Sequence, residues 1–216
     1  MTTPDRTLDR VPAVDPRNRD YPIRGTISAG LPRNVRWTPG PNLDQGNEGA
    51  CVGFGWAAEL AATPRSNPVS DAFARKTYAA AQTVDEWQGE DYSGTSVLAG
   101  AKVLQAAGYM RAYRWGFSLG DVLLALSWSG PVVLGLNWYQ GMFDTVDGFI
   151  TPTGSMRGGH CLLAYGCNVR DETVLLRQSW GRDWGVNGDA LIRWGDLEDL
   201  LRDQGDACVP VGRRVL

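Results

Sequence analysis

The sequence lacks the features that direct proteins to membranes or nucleic acids. Residues 1–20 contain no apolar segment of the kind found in secretory signals, and no stretch approaches the roughly 18 apolar residues of a membrane span. The 21 Lys and Arg residues are spread along the chain without a basic run, and the net charge is only -3. These absences predict a soluble, cytoplasmic protein that binds neither membranes nor nucleic acid.

Histidine and cysteine are also scarce. The chain has one histidine, His160, and four cysteines, Cys51, Cys161, Cys167 and Cys208. Because no secretory signal is present, we expect reduced thiols. The even spacing of Cys161 and Cys167 predicts that both lie on one face of a strand as small buried residues. A second CxxC pair or a second histidine is missing, so we expect no metal and no cofactor.

The pattern of apolar and turn residues changes near Gly130. Before it, four stretches favour helices: residues 51–62, a second after Ser70, a third opened by Thr95 or Ser96, and a fourth opened by Ser118. After it come four short apolar stretches separated by turn residues: PVVLGLN, HCLLAYGCN, TVLLRQSW and ALIRW. Helices followed by strands indicate an α+β protein with a ligand cleft between two lobes.

Proline and arginine mark the beginning of the chain. Residues 1–30 lack periodicity and predict an extended arm over the surface. The remaining 31–216 would form one domain, with a helical lobe at about 45–130 and a β lobe at about 131–216.

Cys51 and His160 are the strongest candidates for chemistry. Any mechanism that uses imidazole as a general base must use His160, which follows two glycines and precedes an apolar strand. Cys51 follows a loop of small residues and begins an apolar helix, whose N-terminus favours a thiolate. The preceding glycines leave backbone N–H groups free for an oxyanion. Together these features predict nucleophilic catalysis by a Cys–His pair.

Three ordered motifs resemble those of papain-like cysteine peptidases. LDQGNEGACVGFGWA resembles the nucleophile segment, GGHCLLAYG the segment of the catalytic histidine, and LLRQSWGRDWGVNGDALI the segment that orients this histidine. LPRNVRW resembles the opening strand of the mature enzymes, and SGTSVLAGAKVLQAAGY a helix of bacterial and bacteriophage members. The resemblance covers roughly residues 31–195.

This resemblance implies a two-lobed fold, in which a helical lobe packs against an antiparallel, β-barrel-like lobe with the active-site cleft between them. The LPRNVRW strand would belong to the β lobe. Peptide or protein substrates are implied, together with a bacterial or bacteriophage origin and, in the latter case, a place in the host cytoplasm or the virion. The oligomeric state remains open.

The resemblance also implies roles for seven residues that match the family pattern. Cys51 would be the nucleophile and His160 its base, while Gln45 and the N–H of Cys51 would bind the oxyanion. Trp180 would shield the hydrogen bond that orients His160. Three glycines would contact the substrate backbone; they are Gly49, Gly94 and Gly159.

Three departures from the family pattern bear on activity. Gln178 replaces the orienting asparagine, and its amide oxygen can still accept from imidazole, so asparagine at this position is expected to preserve or raise turnover. Glu48 and Val52 replace the usual cysteine and tryptophan beside the nucleophile. Only 44 residues precede Gln45, too few for a long propeptide, so residues 1–30 are one candidate to cover the cleft.

These departures leave two alternatives to an active peptidase or amidase. One is a catalytically weak or inactive papain-fold module that binds or supports a larger assembly, possibly of a phage. The other is a cell-wall amidase, which also has cysteine before histidine but gives no reason for Gln45 or the Trp-Gly repeats.

Overall fold

The chain folds into a mixed structure of helices and antiparallel strands. The computed structural model describes residues 6–13, 15–27, 30–87 and 92–216. Within these ranges the helices are α1 Cys51–Ala61, α2 Asp71–Gln82, α3 Val97–Ala106, α4 Leu119–Trp128 and α5 Trp194–Arg202. The strands are β1 Val35–Arg36, β2 Ala112–Trp115, β3 Val132–Tyr139, β4 Met156–Asn168, β5 Thr173–Arg177, β6 Asp189–Arg193 and β7 Asp206–Val211. Short 3₁₀ helices span Pro16–Asp20, Ile23–Thr26 and Gln140–Met142.

All seven strands belong to one antiparallel sheet. Its order is β2-β7-β3-β4-β5-β6, and β1 pairs with the end of β4. The predicted α+β fold is therefore confirmed, but the sheet remains open, with β2 and β6 at its edges, where a barrel-like closure was expected.

Serine side chains begin three of the helices, as their positions in the sequence predict. Each serine accepts a hydrogen bond from the backbone N–H three residues later, which satisfies one free donor of the first turn. The pairs are Ser70 with Phe73, Ser96 with Ala99, and Ser118 with Asp121. Ser96, rather than Thr95, is thus the cap of α3.

The sequence analysis did not identify α5, β2 or β7. Helix α5 has the sequence WGDLEDLLR, in which Leu197 and Leu200 are buried and acidic residues face outward. Strand β2 has four residues, and β7 contains a proline, which is unusual inside a sheet. β2 and β7 pair with each other although 90 residues separate their ends, and no local pattern encodes such a pairing.

Two apolar clusters cover the two faces of the sheet. One contains Val133 together with residues of α1 and α3, and the other contains Leu134 together with residues of α4 and α5. Cys161 belongs to the first cluster and Cys167 to the second. The prediction that both cysteines share a face is wrong, because a bulge between Ala164 and Gly166 reverses the alternation of β4.

Helix α1 is buried along its whole length between α2 and the sheet. A side chain on Gly53 would lie 2.3 Å from the carbonyl oxygen of Ala74 in α2, and one on Gly55 would lie 2.7 Å from the sulfur of Cys161 in β4. The one charged residue of α1, Glu59, lies 2.9 Å from Arg213, measured from Oε1 to Nε. The two glycines therefore let α1 approach its neighbours closely.

No helix in the described ranges combines the length and the apolar character that crossing a bilayer requires.

Replacing Gly53 with alanine should destabilise the fold, because the added methyl group would overlap the backbone of α2. We expect a loss of about 1–3 kcal/mol in the free energy of unfolding, measured by urea denaturation. Gly195→Ala is the matched control, because this helical glycine of α5 has no neighbouring atom within 4 Å of the added group. Equal stabilities of the two variants would contradict the packing argument.

Candidate functional site

Cys51 is the first residue of α1, as the sequence predicts, and its side chain is fully buried. The neighbouring strand β4 contributes His160 and Cys161, and the backbone N–H of Cys161 is directed at the Cys51 sulfur. The packing of α1 against β4 thus places the nucleophile candidate beside the residue that follows the only histidine.

The imidazole of His160 is held on one side and free on the other. The amide oxygen of Gln178 lies 2.6 Å from Nε2 of His160, within hydrogen-bonding distance, whereas Nδ1 has no hydrogen-bond partner among the described residues. Trp180 packs over the ring with centroids 4.6 Å apart, and Trp138 packs at 5.0 Å. Since Gln178 accepts through oxygen, Nε2 carries the proton and Nδ1 is left as the basic nitrogen.

Gln45 is held so that its amide group donates toward the N-terminal arm. Its Oε1 accepts a hydrogen bond of 2.6 Å from the Ser179 hydroxyl, which fixes the orientation of the amide. Its Nε2 donates to the carbonyl oxygens of Thr7 at 3.1 Å and Glu48 at 2.8 Å. The Gln45 amide, which is predicted to bind the oxyanion together with the N–H of Cys51, therefore already donates a hydrogen bond to the Thr7 carbonyl of the arm.

The arm crosses the protein as an extended peptide between two backbone segments. On one side Thr95 donates to the carbonyl of Asp9 at 3.2 Å and accepts from the N–H of Val11 at 3.0 Å. On the other side the carbonyl of Gly159 accepts from the N–H of Arg10 at 2.9 Å. We call the space between Thr95 and Gly159 the arm groove.

The three glycines predicted to contact substrate all border this groove. A side chain on Gly49 would meet the Asp9 carboxylate at 2.0 Å, one on Gly94 the Asp9 carbonyl at 1.9 Å, and one on Gly159 the Arg10 carbonyl at 2.1 Å. Gly94 also has a φ of +92°, which disfavours other residues. Its N–H donates to the hydroxyl of Tyr78, so the strand-like pairing with the arm is made by Thr95, one residue further on.

Part of the predicted surface arm therefore lies in the groove. Residues 6–13 contain the stretch that runs past Cys51, while residues 16–20 and 23–26 form 3₁₀ helices. Positions 1–5, 14, 28 and 29 of the predicted arm lie outside the described residues.

Burial sets the electrostatics of the candidate site. It raises the pKa of the Cys51 thiol to about 11, although the N–H groups of Asp9 and Cys161 act in the opposite direction. Burial also lowers the pKa of His160 to about 4, against the effect of its hydrogen bond with Gln178. The helix N-terminus was expected to favour a thiolate, but burial outweighs it here, and both groups are neutral at pH 7.

Several residues of the site were not identified in the sequence. Arg10, Ser179 and Trp138 contact the arm groove or the candidate residues, yet they lie far from the cysteine and histidine motifs in the chain. The one available signal was the position of Ser179, inside the third motif.

Comparison with known structures identifies papain-like cysteine proteases as structural neighbours. Xylellain, a cysteine protease from Xylella fastidiosa, matches with a TM-score of 0.75 at 17% identity, over 99% of both chains. Procathepsin L 3 from the larval midgut of Tenebrio molitor matches with a TM-score of 0.61 at 15% identity, over 97% of this chain and 77% of that chain. The Carica candamarcensis protease CMS1MS2, in complex with E-64, gives 0.57 at 17% identity, over 85% of this chain and 100% of its own.

Similarity to known proteins at the level of sequence covers a smaller part of the chain. No family model matches the chain. An uncharacterized peptidase C1-like protein from Acanthamoeba polyphaga mimivirus is 33% identical over 64 residues, which are 27% of this chain and 21% of that protein. The chain thus matches about a fifth of the length of this relative, and the fold carries most of the similarity.

The lowered pKa of His160 predicts a pH-dependent stability. The unfolded chain protonates this histidine below its ordinary pKa of 6.5, whereas the folded protein resists protonation until about pH 4. The stability from the neutral ring is therefore present above pH 6.5 and lost as the pH falls toward 4. Between pH 7 and pH 5, the free energy of unfolding should fall by about 2 kcal/mol more in the wild type than in His160→Ala. Urea denaturation at both values measures this, and equal decreases would contradict it.

Proposed function

We propose that this chain is a cysteine peptidase that hydrolyses a peptide or amide bond through a thioacyl intermediate on Cys51. The observation that carries the proposal is the arm itself, an extended peptide that is paired with Thr95 and Gly159 and passes the candidate nucleophile. A groove that accommodates one peptide in this way has the shape and the hydrogen-bonding groups to bind another.

The first chemical step would be proton transfer from the Cys51 thiol to His160. Nδ1 of His160 is suited to this role, because Nε2 is engaged by Gln178 and Nδ1 has no partner in the part of the chain that the structure describes. The thiolate would attack a substrate carbonyl and form a carbon–sulfur bond, while negative charge develops on the carbonyl oxygen. Gln45 would stabilise that charge through Nε2, which now donates to the Thr7 carbonyl.

The second step would release the amine. The imidazolium of His160 would donate its proton to the leaving nitrogen as the carbon–nitrogen bond breaks, which leaves the acyl group on Cys51. Water, deprotonated by His160, would then attack the thioester carbonyl; the carbon–sulfur bond breaks, the acyl group leaves as a carboxylic acid, and His160 returns the proton to the Cys51 sulfur. Gln178 would orient the ring in both steps, and Trp180 would keep water from the hydrogen bond between them.

In the arm-covered state this chemistry would be blocked. The arm occupies the groove, and its Thr7 carbonyl accepts a hydrogen bond from the Gln45 amide. The Cys51–His160 pair beside the arm is buried and neutral. Movement of the arm would hydrate the pair and remove the burial that disfavours the thiolate. The arm would thus act as a short internal inhibitor.

A non-catalytic binding or structural module remains the second candidate. The complete burial of Cys51 and its raised pKa favour it, because a residue kept inaccessible needs no reactivity. The two candidates differ in what happens when the arm is displaced. A peptidase then gains thiol reactivity and turnover, whereas a structural module gains neither.

Arg10→Glu should displace the arm, because it places a carboxylate against Asp206, with which Arg10 forms a buried ion pair. We expect E-64 to label Cys51 at least about tenfold faster in this variant than in the wild type, as measured by mass spectrometry, since the thiol becomes accessible. Hydrolysis of a mixed peptide library should rise in parallel.

Arg17→Glu is the matched control, because Arg17 is exposed and pairs only with nearby Asp15 within the described residues. His160→Ala combined with Arg10→Glu should abolish hydrolysis. An Arg10→Glu variant that remains folded, exposes Cys51 to iodoacetamide, and yet neither reacts with E-64 nor cleaves any peptide would refute the peptidase.

Substitution of Gln178 tests the orientation of His160. The oxygen of Gln178 lies 2.6 Å from Nε2 of His160, and the side chain of asparagine is shorter by about 1.5 Å, which would place its oxygen beyond hydrogen-bonding distance. Gln178→Asn should therefore lose the hydrogen bond, as Gln178→Ala does. This reverses the expectation from the sequence. In the Arg10→Glu background, both variants should lower kcat about tenfold to hundredfold, the value of a hydrogen bond to a charged group. Gln178→Glu keeps the length and the accepting oxygen, and should retain more activity over a shifted pH profile. Equal kcat values for Ala, Asn and wild type would exclude Gln178.

A further inference from the structure

We propose that the pocket ending at Asp206 is an arginine-binding subsite, so that the enzyme selects substrates with arginine beside the residue whose carbonyl is attacked. The inference rests on the proposed peptidase function and goes beyond it, because it names the substrate class. Asp206 would be the specificity-determining residue.

Arg10 of the arm shows how the pocket receives a guanidinium group. The side chain of Arg10 is fully buried, and its Nη2 donates to Oδ2 of Asp206 at 2.6 Å, while its Nε lies 3.2 Å from the same oxygen. Nη2 also donates to the carbonyl of Gln204 at 2.6 Å. Only Nη1 lacks a partner among the described residues. Two of the three nitrogens are therefore recognised.

The walls of the pocket leave room for this side chain. Gly135 of β3 pairs with Asp206 of β7, and an added Cβ on Gly135 would lie 2.7 Å from Nε of Arg10 and 2.8 Å from a methyl group of Val97. A larger residue at position 135 would fill the pocket. The space for the arginine side chain thus depends on glycine at position 135, where β3 pairs with β7.

The backbone of Gln204 supplies a second acceptor for the same guanidinium group. Its φ is +58°, a left-handed conformation that residues other than glycine seldom adopt. The carbonyl of this residue is the one that accepts from Nη2 of Arg10. An uncommon backbone conformation that supplies a ligand to a buried cation is typical of binding sites.

The charges around the pocket also favour a cation. Burial raises the pKa of Asp206, and Arg10 acts in the opposite direction, so removal of the arm leaves this carboxylate without its partner. A second carboxylate, that of Asp203, lies nearby and is held by the side chains of Asn137 and Tyr139. An arginine from a substrate would restore the pairing, whereas an apolar side chain would leave the carboxylate unsatisfied.

The position of this arginine in a substrate follows from the path of the arm. The Asp9 carboxylate would lie 2.0 Å from an added Cβ on Gly49, two residues before Cys51, and the N–H of Asp9 lowers the pKa of the Cys51 thiol, so Asp9 lies at the reactive centre and Arg10 is its immediate neighbour. The pocket is therefore one residue removed from the attacked bond. In the arm Arg10 follows Asp9. The predicted signature is therefore arginine next to the residue whose carbonyl is attacked: directly after the cleaved bond when a substrate lies in the direction of the arm, and second before it when a substrate lies in the opposite direction.

A binding experiment tests the subsite without requiring turnover. The host is the Arg10→Glu, Cys51→Ala variant, and the probes are the peptide RTLDRVPA, which copies residues 6–13, and its leucine analogue RTLDLVPA. By isothermal titration calorimetry, the arginine peptide should bind at least about tenfold more tightly, the value of a charge-assisted hydrogen bond. With Asp206→Asn added to the host, the two affinities should converge. Equal affinities in the first host, or binding of neither peptide, would overturn the assignment.

Turnover then tests the specificity. In the Arg10→Glu variant, internally quenched peptides that carry either arginine or leucine on both sides of the residue whose carbonyl is attacked should differ about tenfold or more in kcat/KM, and Asp206→Asn should remove the difference. Return of the arm to the groove would lower both kcat/KM values by the same factor, so it cancels in their ratio. Hydrolysis of both peptides at equal rates would overturn the subsite while leaving the peptidase in place. Selective binding of RTLDRVPA without hydrolysis of any peptide would instead leave the subsite and remove the peptidase.

Discussion

The close approach of α1 to β4 is the contact that positions the rest of the site. Gly55 lies against the sulfur of Cys161 with no room for a side chain, and Gly53 lies equally close to α2 on the opposite side. Because the helix cannot shift toward either neighbour, Cys51 at its first turn is held beside β4. His160 lies on β4, so the geometry of the candidate pair depends on two glycines that carry no chemistry.

Desolvation is the second constraint, and it acts on three groups near the arm. The burial of Cys51 raises the pKa of its thiol, that of His160 lowers its pKa, and that of Asp206 raises its pKa; of the three, Asp206 forms an ion pair, with Arg10. The Cys51–His160 pair beside the arm is therefore neutral, whereas the arm is anchored by the ion pair of Arg10 with Asp206. Inhibition and anchoring are thus assigned to neighbouring residues of one short peptide.

Local signals in the sequence identified the helix starts, four strands and the order of the three motifs. Serines at 70, 96 and 118 act through bonds three residues away, and apolar stretches such as TVLLR need no distant partner, so both can be read locally. The pairing of β2 with β7, the bulge in β4 and the openness of the sheet depend on contacts between distant segments.

The same distinction holds for the candidate site. Cys51, Gln45 and His160 stand in motifs, and the resemblance named them. Arg10 and Asp206 are unremarkable in the sequence, since one is an arginine in an irregular segment and the other an aspartate before a short strand. Only the folded chain brings them together, across 196 positions. The burial that neutralises Cys51 likewise depends on the packing of distant segments, which no spacing rule encodes.

The attachment of the arm to its own groove has a consequence for how such an enzyme would respond to its surroundings. A tethered peptide has an effective concentration on the order of millimolar, whatever the concentration of the protein. Dilution would therefore leave the groove occupied, and a free substrate would compete at a disadvantage set by the closed fraction of the population. Control would then depend on events that reach the arm directly, such as cleavage of the segment or capture of its end by another molecule, and not on the amount of enzyme or on modest changes in substrate supply.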